Sequence, residues 1–288
     1  LLNTSHGADY FRRWHRHKAN SGGLQVHKAT HHFDLINWLL SDVPQSVYAE
    51  GGRRFYTPET AERYGLTRRG LRCLGCPEAQ RCPFYLDLSA YPEMKMLYLD
   101  NEQFDGYHRD QCVFSADTDI EDTLHAVIAY RGGVQMSYSL HAYMPWEGLT
   151  IAFNGSKGRL EHVQQETVYL NGDGTTPGEL LPGATRTQII PHFQSAYPVE
   201  NWTGEGGHGG GDPLLLEQLF GSDVPADPYL RGADERGGAW SVLVGAAVNR
   251  SLQDGGKVRI ADLVSGLDLP AYPPMPSSSA PLNAQPPG

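Results

Sequence analysis

The chain has 288 residues, 40% of them apolar and 19% charged, and carries a formal net charge of −10. That length makes one large domain or two small ones, and the composition belongs to a globular fold rather than a disordered or collagen-like one. The acidic balance argues against a nucleic-acid-binding surface, and no apolar run reaches the roughly 20 residues of a membrane span. No basic stretch followed by an apolar one marks a secretory signal, so the expected setting is cytoplasmic.

Residues 1–26 are polar, rich in Arg and His, and end in Ser21-Gly22-Gly23. The pattern then predicts a helix from Lys28 to Leu40, apolar nearly all round through Phe33, Leu35, Ile36, Trp38, Leu39 and Leu40, and therefore buried. The turn Ser41-Asp42-Val43-Pro44 leads into two strand-like stretches, Ser46–Glu50 and Arg53–Tyr56. Residues 57–112 read as an irregular insertion with short helical stretches, and it carries the cysteines. Thr123–Arg131 and Val134–Ala142 flank Gly132-Gly133, a hairpin signal. Leu149–Asn154, Arg159–Val163 and Thr167–Leu170 read as further strands, and 184–192 adds another. Asp212-Pro213 looks like an N-cap with Pro at the first helical position, opening a helix to Phe220. A longer helix is expected over Ala233–Leu252, closed near Gly255-Gly256. The Pro- and Ser-rich 270–288 reads as a flexible tail.

Strands that follow one another without regular intervening helices predict an α+β fold. It is expected to hold one large, mostly antiparallel open sheet with helices on one face, spanning residues 1–269. No Gly-x-Gly-x-x-Gly follows a strand, so this chain carries no dinucleotide-binding fingerprint of its own.

On a helix, positions 27, 31, 34 and 38 share one face. His27, His31 and Asp34 would then stand in line with Trp38 behind them. Titratable groups on a buried stripe are costly unless paired or used, and His is the natural proton shuttle near neutral pH. Three readings are open: an acid–base site, a hydrogen-bonded cluster that anchors the helix, or a metal held by His at i and i+4.

Cys73-x2-Cys76-x5-Cys82, with Cys112 some thirty residues on, fits a structural zinc site that orders an insertion lacking a large core. Free thiols and an iron–sulfur cluster are the alternatives. In Glu205–Asp212 the run of glycines allows close backbone approach to a ligand, with His208 and Asp212 as contacts, or forms a plain loop in which Asp212 only caps the helix. Arg13 and Trp14, with Arg12 and His15 beside them, either line a substrate pocket or pack as an N-terminal segment.

Tyr10-Phe11-Arg12-Arg13-Trp14, Ser21-Gly22-Gly23 and His31-His32-Phe33-Asp34-Leu35-Ile36-Asn37-Trp38-Leu39-Leu40 together resemble the Gfo/Idh/MocA oxidoreductases, the glucose–fructose oxidoreductase and inositol dehydrogenase group. The hairpin Asp122–Tyr143, the turn Asn154–Glu161 and the closing Ser251–Val258 extend the resemblance to about residues 1–265. It implies that His31 occupies the catalytic His position and Asp34 the Asp three residues later. His27 stands where the family has a first Asp, and an imidazole there cannot stabilise a protonated His31 as a carboxylate would.

The resemblance further implies hydride transfer at a sugar, polyol or related hydroxyl carbon, with NAD or NADP bound mainly by an N-terminal Rossmann domain. His31 would be the acid/base, His27 and Lys28 its neighbours at the substrate, and Arg13, Trp14, Asp34, His208 and Asp212 substrate contacts. Neither the Rossmann fingerprint nor the family's Glu-Lys-Pro motif is in these residues. With no Met before Leu1-Leu2-Asn3, the expectation is a C-terminal substrate-binding and oligomerisation domain, inactive alone and forming a homo-oligomer through its sheet. The rival functions are an NAD-dependent glycosidase of the same superfamily and a non-catalytic, zinc-stabilised binding or scaffold domain.

Overall fold

Asn3 starts the first helix by accepting the His6 backbone N–H at 2.8 Å on its side-chain oxygen, a side-chain cap in place of a missing helical partner. In the computed structural model, residues 1–168, 185–201, 204, 207–222, 224 and 226–273 are described. The helices are α1 (Thr4–Arg12), α2 (Lys18–Ser21), α3 (Leu24–His27), α4 (Thr30–Leu40), α5 (Pro58–Arg63), α6 (Pro92–Leu97), α7 (Glu102–Asp105), α8 (Gly207–Phe220) and α9 (Glu235–Asp254). The strands are β1 (Pro44–Gly52), β2 (Thr123–Tyr130), β3 (Gln135–His141), β4 (Trp146–Gly155), β5 (Gly158–Val168), β6 (Arg186–Pro191), β7 (Tyr197–Val199) and β8 (Val258–Arg259).

The fold is α+β with antiparallel pairing, its strands divided between two four-stranded sheets, ordered β3-β2-β1-β8 and β4-β5-β6-β7. The chain forms two compact units: Leu1–Leu24 with Gly51–His125 and Ser139–Thr203, and Gln25–Glu50 with Ala126–Tyr138 and Gly204–Gly288. It passes from one to the other within β1, β2 and β3.

In the first unit an aromatic cluster forms the core. Phe11 of α1 stacks on Tyr56 at 4.3 Å, and Phe84 meets Phe114 edge-on at 5.4 Å, geometries that aromatic pairs favour. Gly7 lies so close to the chain that a Cβ would fall 1.7 Å from the Ala142 carbonyl oxygen, so no side chain fits there. The predicted strand over Arg53–Tyr56 does not form. The fully buried Asp122 carboxylate instead accepts the backbone N–H groups of Arg54, Phe55 and Tyr56 at 2.8, 2.7 and 2.9 Å. Donors captured by a side chain are lost to a strand ladder. The stretches expected as Arg159–Val163 and Thr167–Leu170 belong, as far as Val168, to the single long β5; Gly158 at φ 149° starts it against the Ile190 carbonyl, which only glycine allows.

In the second unit α4 packs on α9. Phe33, Ile36 and Asn37 are buried at i, i+3 and i+4, and α9 answers with Val244, Ala247 and Val248, all fully buried. The Asn37 side-chain oxygen accepts the Tyr130 hydroxyl at 2.9 Å, while its buried Nδ2 meets no acceptor among the described residues. The close approach of α9 also rests on Gly245, where a Cβ would fall 2.4 Å from the Gln25 carbonyl. Asp234 caps α9 through the N–H groups of Arg236 and Gly237, and Gly255 ends it at φ 69°, the left-handed residue that helix ends favour.

Candidate functional site

The stripe drawn through His27, His31, Asp34 and Trp38 requires one helix, and the chain makes two. α3 ends at His27, Lys28 and Ala29 form a turn, and α4 begins at Thr30. His27 therefore lies outside the helix that carries His31, Asp34 and Trp38. The expected all-round burial fails as well, because Leu35 and Leu39 are 36% and 39% exposed. With His31, also exposed, they form a surface row at i, i+4 and i+8 opposite the face packed on α9. A helix in a two-layer packing has one covered face, and the apolar residues of its other face stay in solvent.

His31 and Asp34 do come together. They stand three residues apart on α4, close enough that His31 acts electrostatically on the aspartate. Burial raises the Asp34 carboxyl above its ordinary value, and the His31 charge partly opposes that shift. Asp34 and Trp38 line a cavity of about 100 Å³ closed by Leu230, Arg231, Asp234 and Tyr272. The Trp38 indole N–H donates to the Tyr229 carbonyl at 2.9 Å, which fixes the ring in that wall. Burial is also the main cause that raises the Tyr272 hydroxyl, with Asp34 the next contributor. A neighbouring cleft of about 600 Å³, lined by Asp42, Arg131 and Tyr272 among others, contains none of the predicted acid–base residues.

His32 was not singled out by the spacing, yet it is the most perturbed histidine. Its Nδ1 lies 2.9 Å from the Tyr138 hydroxyl. Burial, with positive charge at Lys28 and His31 adding to it, pushes the imidazole down to about 4. No period marks such a residue: His32 is conspicuous only once β3 brings Tyr138 beside α4.

Arg13 and Trp14 belong to the first unit, whereas His27, Lys28, His31, Asp34, His208 and Asp212 belong to the second. The glycine-rich loop is not a loop from Gly207 onward: α8 begins there, so Asp212 lies inside the helix and Pro213 is an interior proline. The N-cap expectation for Asp212 is thereby corrected. Capping signals identify a start only where no helix precedes them, and here the glycines themselves are helical. Glu205 lies outside the described residues, as do the side chain of His208 and all of 274–288 of the expected tail.

Cys73, Cys76, Cys82 and Cys112 are free thiols that line one cavity with Leu66, Phe84, Val113 and Phe114. Burial raises the thiols of Cys73 and Cys112 and pushes that of Cys82 up to about 11. Among the described residues, no three His, Cys, Asp or Glu side chains stand in metal-ligating geometry. The spacing thus correctly gathers four thiols, and they surround a cavity rather than converging on a point.

Fold and site define an α+β domain of antiparallel sheets that presents a histidine and an aspartate on one helix. A sequence profile described as "Oxidoreductase family, C-terminal alpha/beta domain", that of the Gfo/Idh/MocA proteins, matches residues 1–260. The chain belongs to this family and constitutes its C-terminal alpha/beta domain. It is 37% identical over 263 residues to "Putative oxidoreductase YteT" of Bacillus subtilis (strain 168), covering 88% of this chain and 59% of that protein. The chain thus spans under two thirds of that relative's length. Two solved structures share the fold at a TM-score of 0.51. One is described as a "putative nadph-dependent oxidoreductase from desulfitobacterium hafniense dcb-2", at 11% identity over 92% of this chain and 56% of that one. The other is a levoglucosan dehydrogenase in complex with NADH and levoglucosan, at 13% identity over 90% and 56%. Among the described residues, no helix is long and apolar enough to cross a membrane.

Proposed function

We propose that this chain is the substrate-side half of an NAD(P)-dependent oxidoreductase that moves a hydride at a hydroxyl-bearing carbon of a sugar or polyol. The observation that carries the reading is the pair on α4: His31, exposed at the first turn, and Asp34 one turn on, half-buried. When bound, the nicotinamide supplies the hydride acceptor. His31 takes the proton of the hydroxyl as that carbon loses its hydride, and returns it in the reverse direction. An ionised Asp34 beside it favours the imidazolium that results. Trp38 and the acids around the 100 Å³ cavity suit a polyhydroxylated ligand, an apolar ring for its C–H face and acceptors for its hydroxyls. The ligand of the levoglucosan dehydrogenase is of that chemical class. His27 and Lys28, in and after the short α3, precede His31 on the same side of the sequence motif and are assigned to the substrate's approach. His208 and Asp212, of the same unit as His31, are assigned as further contacts.

The test is steady-state kinetics on the intact enzyme with its dinucleotide. His31→Ala should lower kcat by about 10²–10⁴-fold, the usual contribution of a positioned acid or base, with the circular dichroism of the wild type retained. Asp34→Asn should lower kcat by less than His31→Ala does, with the fold retained. Unchanged kcat in a folded His31→Ala protein would remove the assignment.

We also infer that the enzyme is a homo-oligomer joined through the β4-β5-β6-β7 sheet. Four free thiols accord with a reducing, cytoplasmic setting.

A further inference from the structure

We propose, resting on the substrate class given above, that the Tyr272 hydroxyl binds the sugar or polyol in the Asp34 cavity and selects for one of its hydroxyl groups.

The side chains that bring polar groups to this cavity are Asp34, Trp38, Arg231, Asp234 and Tyr272. Three of them are engaged within the protein. The Trp38 indole N–H is bonded to the Tyr229 carbonyl. Arg231 Nε faces the Asp227 carboxylate at 3.5 Å. Asp234 accepts the backbone N–H groups of Arg236 and Gly237 on one oxygen and the Arg236 guanidinium on the other. Two groups remain. Among the described residues, no donor is bonded to the Asp34 carboxylate, and the buried Tyr272 hydroxyl meets no partner. Burying a hydroxyl without a partner is costly, and such exceptions in a folded protein call for a reason.

An acceptor and a donor left over in one cavity fit a hydroxyl group, which gives one hydrogen and receives another on its oxygen. Its proton goes to Asp34, and its oxygen receives the Tyr272 proton. Burial keeps Tyr272 protonated and Asp34, close by, adds to the effect, so the phenol is a donor throughout the neutral range. A carboxylate or phosphate in the same place would meet Asp34 as a like charge. A methyl group there would leave both protein groups unpaired, the strongest basis for rejecting an analogue. At about 100 Å³ the cavity is smaller than the roughly 150 Å³ that admits a benzene ring. It therefore takes a hydroxymethyl or hydroxymethine arm of the substrate and not a whole sugar ring.

The segment that carries Tyr272 is fastened on both sides of it. The Trp240 indole N–H of α9 donates to the Asp268 carbonyl at 2.9 Å, and the Ser41 hydroxyl, just past α4, donates to the Pro273 carbonyl at 2.6 Å. Pro270 and Pro273 restrict the backbone between those ties. Tyr272 lies beyond residues 1–260, which the family profile matches, so this contact is an addition to the shared domain. Gly237 completes the wall. A Cβ there would stand 3.6 Å from Asp34 Oδ1, an ordinary contact, so an alanine fits and takes up space the arm would use.

Saturation-transfer NMR on the 288-residue chain with glycerol, D-glucose and myo-inositol reads this contact without turnover. The wild type is expected to bind at least one of the three. Tyr272→Phe should weaken that binding by roughly 2–10-fold, the worth of one hydrogen bond, and Gly237→Ala should weaken it too. Neither variant should unfold at a lower temperature than the wild type, since one removes an unpaired hydroxyl and the other meets its nearest neighbour at 3.6 Å. In the intact enzyme Tyr272→Phe should raise KM by the same factor with kcat little changed, and the rise should vanish for one monodeoxy analogue of the substrate. A wild-type chain that binds none of the three overturns the proposal. So does either variant binding as the wild type does, or a Tyr272→Phe chain that is destabilised or fails to fold, which would make the phenol structural. The reaction is judged separately. A sugar held through Tyr272 but never turned over removes the oxidoreductase reading and keeps the contact. Turnover lost in His31→Ala with KM untouched in Tyr272→Phe does the reverse.

Discussion

His32 and His31 are neighbours in sequence with opposite surroundings, and the difference is measurable. His31 faces solvent, while His32 turns toward Tyr138, whose own hydroxyl burial holds protonated. The His32 imidazole, lowered to about 4 from an ordinary 6.5, is neutral in the folded chain where the unfolded chain binds a proton. Its contribution to stability is therefore complete above about pH 6.5 and is lost as the pH falls toward about 4. At roughly 1.4 kcal/mol per pH unit of displacement, the loss amounts to about 3 kcal/mol. Urea titrations between those limits should show the midpoint falling with pH in the wild type and much less in His32→Phe. Asp34, with its carboxyl raised by burial, acts in the opposite sense, so the difference between the two proteins, rather than either curve alone, isolates His32. Wild-type and His32→Phe midpoints that change alike with pH over this range would refute the buried, neutral imidazole.

At the scale of elements, the sequence was most legible where a pattern repeats and least where a side chain intervenes. The hairpin around Gly132-Gly133 and the helix closed by Gly255 lie within a few residues of their expected bounds, because turn glycines and alternation are local signals. The break at Lys28-Ala29 is not signalled, since neither residue is a helix breaker. Arg53–Tyr56 reads as strand until the distant Asp122 takes its donors. Of the candidate site, the residue types and the i, i+3 pairing of His31 with Asp34 could be read in advance. Their exposure could not, because it depends on which face α9 covers. That packing gives its own prediction. Gly245→Ala places a methyl 2.4 Å from the Gln25 carbonyl, backbone that cannot turn aside as a side chain would. Overpacking of this kind costs about 1–3 kcal/mol, more than the helix propensity gained on replacing glycine, about 1 kcal/mol. Gly238, with nothing near its Cβ position, is the control: Gly238→Ala should stabilise. Chemical denaturation of the two variants should move in opposite directions, and a stabilised Gly245→Ala would show that α9 is not held at this distance.

For the molecule as a whole, the telling feature is a sheet with two unlike faces and little covering it. Through the registers Leu149↔Gln164, Ile151↔His162 and Phe153↔Leu160, then Leu160↔Ile189 and Ile189↔Tyr197, residues paired across strands share a side. Leu149, Ile151, Phe153, Leu160, Ile189 and Tyr197 therefore fall on one face with His162, Gln164 and Thr187, while Thr150, Ala152, Asn154, Arg159 and Glu161 fall on the other with Val163 and Ile190. An antiparallel sheet of this pattern ordinarily buries its apolar face. Here no described residue of β5, β6 or β7 is fully buried. A second copy offering the same face about a two-fold axis would cover it without any new chemistry. A carboxylate in the middle of such an interface would be buried without a partner, at a cost of several kcal/mol, yet on the present half-open surface it remains partly solvated and leaves the fold intact. Phe153→Asp with Ile189→Asp should thus convert the chain from oligomer to monomer in sedimentation velocity while its circular dichroism is unchanged. Thr150→Asp, on the polar face, should leave the sedimenting mass as it was. A wild-type chain that sediments as a monomer at tens of micromolar (the usual working range for a stable dimer, about 1 μM or tighter) would mean that this face meets something other than its own copy.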